Sequence, residues 1–307
     1  NLYDRCGDRG FNGTPFWNTY AGVLADLLPV KRGWLIAASW LDIAFLAAGF
    51  ILLGIAFGVE AALLSVIFYF GVYFNHYHYI HFSFLRYDWM GFSLAGLALI
   101  KMRRYKTSGV VLGLAAAIRL FPMVLVVGPA LKFVLDFIAN RKADRNLLNL
   151  GIAWLMTVFV CVSLSLAIYG SDRYIEYFDK LKVHSQIKTS TRIGLHYVMN
   201  AYKGHAVAAA VGSLFGEKAA LSLRKQDSVK VQRELMRWGI IAAMLILLGM
   251  SLRKQPYDTV SALSFPLIFL FFNMTVYYYV FMAILLPMIL SREKPAANAF
   301  LWAVLSI

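Results

Sequence analysis

Apolar residues fall into runs set apart by short polar and basic stretches: about Gly33–Phe57, Ala61–Phe74, Trp89–Ile100, Gly109–Ile138, Leu147–Tyr169, Trp238–Leu252, Val260–Phe272, Val276–Leu290 and Ala296–Ile307. Runs of this kind predict helices in a bilayer, where a crossing takes roughly 20 apolar residues. Several runs are shorter, and these predict broken helices that line a cavity or lie against other protein. Lys and Arg collect between the runs, four at 101–106, three at 141–145, two at 253–254 and two at 292–294. All four clusters face the cytoplasm if Gly33–Phe57 runs inward. With the first two clusters on one side, Gly109–Ile138 becomes a hairpin that bends near Leu120-Phe-Pro122 or near Gly128-Pro129, and Arg119 points to the outer leaflet or a cavity. This layout puts His76, His78, His81, His184, His196 and His205 on the non-cytoplasmic side. The long stretch from Ser171 to Arg237, with twelve basic and six acidic residues, stays on that side too. Within it Val207–Phe215 is too short to cross, and Glu217–Arg237 reads as an amphipathic helix on the membrane surface.

Composition fixes the class. Hydrophobic residues make up 60% of the 307 and charged residues 15%, with a mean hydropathy of +0.65. These values describe an all-α, polytopic transmembrane bundle in which residues 1–307 form one domain. The alternation expected of a membrane β-barrel is missing. The net charge of +14 comes from clusters between apolar runs, which points to lipid and phosphate and away from nucleic acid. Cys6 and Cys161 are the only cysteines, too few for a disulfide framework or a cysteine metal knot. There is no start methionine or signal sequence, and the chain ends within an apolar run, so both ends read as cut from a longer protein.

Candidate chemistry gathers in the non-cytoplasmic segments. Arg119 stands inside apolar sequence, three residues before Pro122, where a cation costs a few kcal/mol (about 2.5 to 3.5) unless it meets an anion or water; snorkelling to a lipid headgroup is the alternative. Asp4 and Asp8 lie in a turn-rich first loop, where either could act as a base or simply cap a turn. His76 and His78 lack the third and fourth ligands of a zinc site and suit an interfacial belt, whereas Asp88 enters an apolar run and is expected to face the cavity. Asp42, also at membrane depth, is explained equally by helix packing and by function. Lys188-Thr-Ser-Thr-Arg-Ile-Gly-Leu-His196 gathers hydroxyls, Arg192 and His196 around one glycine, a composition suited to phosphate or sugar. Asn273, Thr275, Tyr278 and Tyr279 form a last outer turn, which could equally be an interfacial tyrosine belt.

The order of these elements resembles glycosyltransferase family 87, the polyprenol-phosphate-mannose-dependent enzymes of the membrane GT-C fold. Leu2-Tyr-Asp4 followed by Thr14-Pro-Phe16 is similar to the family's first outer loop. Gly109 to Pro122 resembles its small-residue helix ending in Lys-Leu-Tyr-Pro, with Arg119 in place of Lys and Phe121 in place of Tyr. Thr191-Arg-Ile-Gly194 stands where Asn-x-Ser is usual. Asn273 to Tyr279 stands where the family has Ser-Pro-x-x-Trp-x-His-His, with Tyr278 or Tyr279 replacing His. The resemblance implies a catalytic Asp just after a first transmembrane helix, upstream of Asn1, with Asp4 and Asp8 as fallbacks.

The activity it implies is transfer of a hexose, mannose by resemblance, from a polyprenyl phosphate to a glycolipid or glycan acceptor at the outer face of a prokaryotic cytoplasmic membrane. Arg119, Arg192, Tyr278, Asp88, His196 and Asn273 are the expected substrate-binding residues, with no cofactor and no metal. A polyprenyl-lipid or glycolipid transporter, with the broken hairpin as its gate, is the other reading of the same features.

Overall fold

The structure is a computed structural model that describes residues 13–27, 29, 31–71, 84–186, 192–195, 226–252, 255–272 and 274–287. Apart from one two-residue bridge, the elements described are helical. They are α1 (Pro15–Asp26), α2 (Arg32–Phe57), α3 (Val59–Gly71), α4 (Asp88–Lys101), α5 (Tyr105–Ile118), a 3-10 turn (Phe121–Met123), α6 (Val124–Asn140), α7 (Arg145–Tyr169) and α8 (Asp172–Gln186). Strand β1 (Arg192–Ile193), α9 (Gln226–Leu252), α10 (Tyr257–Leu263), α11 (Leu267–Phe271), β2 (Met274–Thr275) and a 3-10 helix (Val276–Ile284) complete the order. Arg32–Phe57, Phe121–Asn140, Arg145–Tyr169 and Glu234–Leu252 are long and apolar enough to cross a membrane. On α7 large apolar side chains are exposed along the helix, among them Ile152, Leu155 and Phe159 at 51%, 60% and 66%. An apolar face turned outward along a whole helix suits lipid and not water.

Close backbone approach sets the helix directions. Helices α2 and α4 run parallel: Asp42 meets Arg86 and Tyr87, Gly49 meets Gly91, and Lys101 lies over the Phe57 ring. A Cβ on Gly49 would come 2.9 Å from the Gly91 carbonyl oxygen, so this contact needs a residue without a side chain. Helix α5 turns back along α4, where the Ser108 hydroxyl donates to the Gly96 carbonyl at 2.7 Å. Its other face uses Gly109 and Gly113 to meet α7, and a Cβ on Gly113 would come 2.8 Å from Thr157 Cβ. Helix α4 is thereby enclosed, with Trp89, Met90, Leu94 and Leu97 all at 2% exposure or less.

The hairpin bends at Arg119–Met123, the first of the two places expected. Arg119 leaves the helix in an extended conformation, and Pro122 enters the next turn at its start, where a missing N–H costs nothing. Pro129, the second candidate, lies inside an unbroken α6. Its missing N–H frees the carbonyl of Leu125, and the Ser261 hydroxyl of α10 donates to that oxygen at 2.7 Å. Ser261→Ala is therefore expected to lower stability by about 1 to 3 kcal/mol by leaving a buried carbonyl unpaired. The measurement is the melting temperature in detergent against Ser264→Ala, whose hydroxyl, among the described residues, bonds only within its own segment; equal shifts would refute the assignment.

Three other expectations change. From Gln226 onward the segment read as a surface helix is the first part of α9, continuous with the apolar Trp238–Leu252 stretch. The Val260–Phe272 run divides into α10 and α11 at Ser264–Pro266, because Pro266 supplies no N–H to continue the first helix. The start of the Val276–Leu290 run winds as a 3-10 helix as far as Ile284.

The bundle has two distinct ends. At one, Lys101 pairs with Asp258 at 3.6 Å and the Tyr257 hydroxyl donates to Asp144, which also caps α7 through the Asn146 N–H at 2.8 Å. The 101–106 and 141–145 clusters thus share this basic end. The opposite end carries the starts of α1 and α4, the hairpin bend and the β1–β2 bridge.

Candidate functional site

At the end opposite the basic clusters, three loops meet around the hairpin bend. The α5 terminus leaves its last carbonyls open, and Thr14 closes them: its hydroxyl donates to Ala117, and its N–H donates to Ile118 at 3.4 Å. The same hydroxyl oxygen accepts the Trp17 N–H at 3.2 Å as the N-cap of α1, with Pro15 at the first helical position. One residue therefore starts α1 and fixes it on the bend. The Trp17 indole N–H donates to Leu85 at 2.8 Å, tying α1 to the approach to α4.

That approach is held from beneath by Asp42, fully buried in α2, whose two carboxylate oxygens accept the N–H groups of Arg86 at 2.9 Å and Tyr87 at 2.8 Å. Leu85 just before them is left-handed, at φ 50°. A branched side chain resists that conformation, so the two bonds hold a strained turn. The turn delivers Asp88 to the first position of α4. Asp88 is fully buried; one oxygen accepts the Trp89 N–H at 2.8 Å, and the other has no hydrogen-bond donor among the described residues.

Arg119, half-buried at the bend, acts electrostatically on both the Asp88 carboxyl and the Tyr177 hydroxyl of α8. Burial pushes Tyr177 up to about 12, against the opposing pull of Arg119, so its hydroxyl stays protonated at neutral pH and can donate. Beside the cation lies an aromatic wall. Phe121 meets Trp89 edge-on with centroids 4.5 Å apart, and it meets Tyr278 at 5.2 Å. Phe281 closes the wall at 4.1 Å from Trp89 and 5.1 Å from Tyr278. A cavity of about 620 Å³ opens between α1 and α8, lined by Trp17, Asn18, Tyr169, Arg173, Tyr177 and Lys180 among others. Tyr177 belongs to both the cavity and the Arg119 cluster, whereas Asp88 and Arg119 themselves do not line this space.

Of the residues chosen from sequence, Asp88, Arg119 and Tyr278 come together around Phe121 and Trp89. The backbone of Arg192 pairs with Thr275 in the β1–β2 bridge, which joins the long loop to the last outer turn. Gly194 follows at φ 116°, and a Cβ there would come 2.8 Å from the carbonyls of Phe269 and Phe272. Asp4, Asp8, His196 and Asn273 lie outside the described residues, as do His76, His78, His81 and His205, while His184 falls in the last turn of α8. Sequence reasoning missed Tyr177, Trp89 and Thr14 as parts of the site. Thr14-Pro15 carried a readable helix-start signal; Tyr174 and Tyr177, three residues apart on α8, were the available sign of an inward face.

No protein-family model, curated protein or solved structure matches the chain.

Proposed function

We propose that this chain is a membrane glycosyltransferase of GT-C type that moves a hexose, mannose by resemblance, from a polyprenyl phosphate to a lipid-linked or secreted acceptor. The observation that carries this reading is the cation at the hairpin break, set against a buried carboxyl, a protonated tyrosine and an aromatic wall. Such a site suits a sugar phosphate: aromatic faces take the ring, and the guanidinium takes the anion. The Lys and Arg content supports a cytoplasmic location for the basic end, and this reading takes the Arg119 end to face outward, in a prokaryotic cytoplasmic membrane by resemblance.

In the reaction, a loop carboxylate takes the proton of the acceptor hydroxyl, and the oxygen attacks the anomeric carbon from the face opposite the phosphate. The bond from that carbon to the phosphate oxygen breaks, the electron pair leaves with polyprenyl phosphate, and the anomeric centre inverts. Charge on the leaving oxygen grows only as the bond breaks, so a cation placed there lowers the barrier selectively. Arg119 takes this role, with Tyr177 and Tyr278 as hydroxyl donors. Asp4 and Asp8 remain the candidates for the base within this sequence.

The test uses membranes containing the protein, incubated with radiolabelled polyprenyl-phosphate mannose. The expected result is a new labelled glycoside with the inverted anomeric configuration. Movement of intact donor across the membrane with no new glycoside would replace this reading with a transporter.

A further inference from the structure

A second cavity, of about 670 Å³, opens at the basic end, between the α4–α5 turn and the start of α10. Its volume falls within the range of small-molecule sites, roughly 300 to 1,000 Å³. Lys101, Arg103, Tyr105, Asn146 and Tyr257 line it, together with Asp258, its only carboxylate among the described residues. The charge balance here is uneven: the segments 101–106 and 141–145 bring seven cations, against Asp144 and Asp258. Both carboxylates are already engaged. Asp258 is paired with Lys101, while Asp144 receives the Tyr257 hydroxyl and the N–H groups that begin α7.

Arg103 is different. Its backbone is left-handed at φ 60°, an uncommon conformation for a residue with a side chain. The bonds of the turn hold it there, with the N–H groups of Arg103 and Arg104 donating to Ile100 at 2.9 Å and Leu99 at 2.8 Å. The guanidinium is exposed, lies near enough to Tyr105 to act on it electrostatically, and makes no ion pair among the described residues. The T-shaped pair of Tyr105 and Tyr257, with ring centroids 5.5 Å apart, forms a firm wall beside it. Strain of this kind is kept where a side chain has to be aimed.

We propose that this cavity binds a phosphate-bearing anion, with Arg103 as its main contact and Asn146 and the tyrosines as the surrounding polar wall. The site is separate from the Arg119 cluster and does not depend on the reaction assigned to it. Two sources carry this chemistry: the headgroup of an anionic lipid such as phosphatidylglycerol, and a soluble phosphate ester. Basic pockets between membrane helices suit the first.

Native mass spectrometry of the purified protein in neutral detergent, titrated with dioleoyl-phosphatidylglycerol and separately with glycerol 3-phosphate, tests it. The expected result is one saturable adduct. Arg103→Gln should weaken it about tenfold, the loss of one charge-assisted contact of roughly 1.4 kcal/mol. Arg141→Gln, which removes the same charge from a neighbouring turn outside the cavity, should leave it within about twofold. Competition by millimolar glycerol 3-phosphate would identify the soluble source; persistence of the lipid adduct would identify the headgroup, and either supports the site. Equal weakening by both variants would reduce the binding to diffuse charge and overturn the proposal, as would the absence of a saturable adduct with either probe. If Arg103→Gln fails to fold, Asp258→Asn decides. It releases Lys101 toward the cavity and should tighten binding severalfold, and unchanged affinity there would overturn the site.

Discussion

Arg119→Met is expected to lower turnover by roughly a hundred- to a thousandfold, about 2.7 to 4 kcal/mol, by analogy with removal of one oxyanion donor. Met keeps the length and apolar bulk of the side chain while deleting the cation. The bend should survive, because its geometry comes from Thr14 on the α5 carbonyls and from Pro122 at the start of the next turn. One complication is built into the cluster: Asp88 is fully buried, and without the cation its carboxyl takes up a proton rather than stay charged, so the variant changes two groups at once. The double variant Arg119→Met with Asp88→Asn separates the effects. Because an amide stands in for a neutral carboxyl, the double variant should match Arg119→Met in stability, and turnover should stay low in both. Arg119→Lys keeps a point charge and should retain more activity than Met, although it loses the planar fork that can grip two phosphate oxygens. If Arg119→Met folds and turns over within about threefold of the parent, a loss under roughly 0.7 kcal/mol, the arginine is a membrane anchor and its catalytic assignment fails.

The sequence was most legible where one local rule dominated. Apolar length located α2, α4 and α7 to within a few residues, and basic clusters brought the loops at 101–106 and 141–145 to one end. Arg119 could be singled out because a cation in apolar sequence is costly enough to need a reason. Asp88 and Tyr278 were chosen for their positions, but nothing local said that Phe121 would pack between Trp89 and Tyr278. Such contacts join segments far apart in the chain, and periodicity reports only which face of a helix is apolar. Pro129 shows the same limit. By itself it looked as able to bend the chain as Pro122, and the difference lies in Ser261, which supplies the hydrogen bond Pro129 removes. The polar and apolar pattern before Trp238 could not distinguish a helix lying on a surface from the start of one that continues through Trp238–Leu252.

Asp42→Ala is expected to destabilise the protein by about 2 to 6 kcal/mol, because the part-buried N–H of Arg86 and the buried N–H of Tyr87 each lose an acceptor at roughly 1 to 3 kcal/mol. The damage should not stop at stability. With Leu85 left-handed in the same turn, release of those bonds lets the strained backbone relax and moves the residue three positions on, Asp88. Glycosyl transfer should then fall even in the folded fraction, although Asp42 itself touches neither the cavity nor the aromatic wall. Asp42→Asn keeps one carbonyl acceptor and should cost about half as much, because its amide nitrogen cannot accept the second N–H. Melting temperature in detergent and turnover per folded molecule are the two readouts, and a positioning role requires both to follow the order parent, Asn, Ala. Should Ala lower the melting temperature while activity per folded molecule stays at the parent value, Asp42 is a packing residue alone, and the strained turn before α4 does not set the geometry of the site.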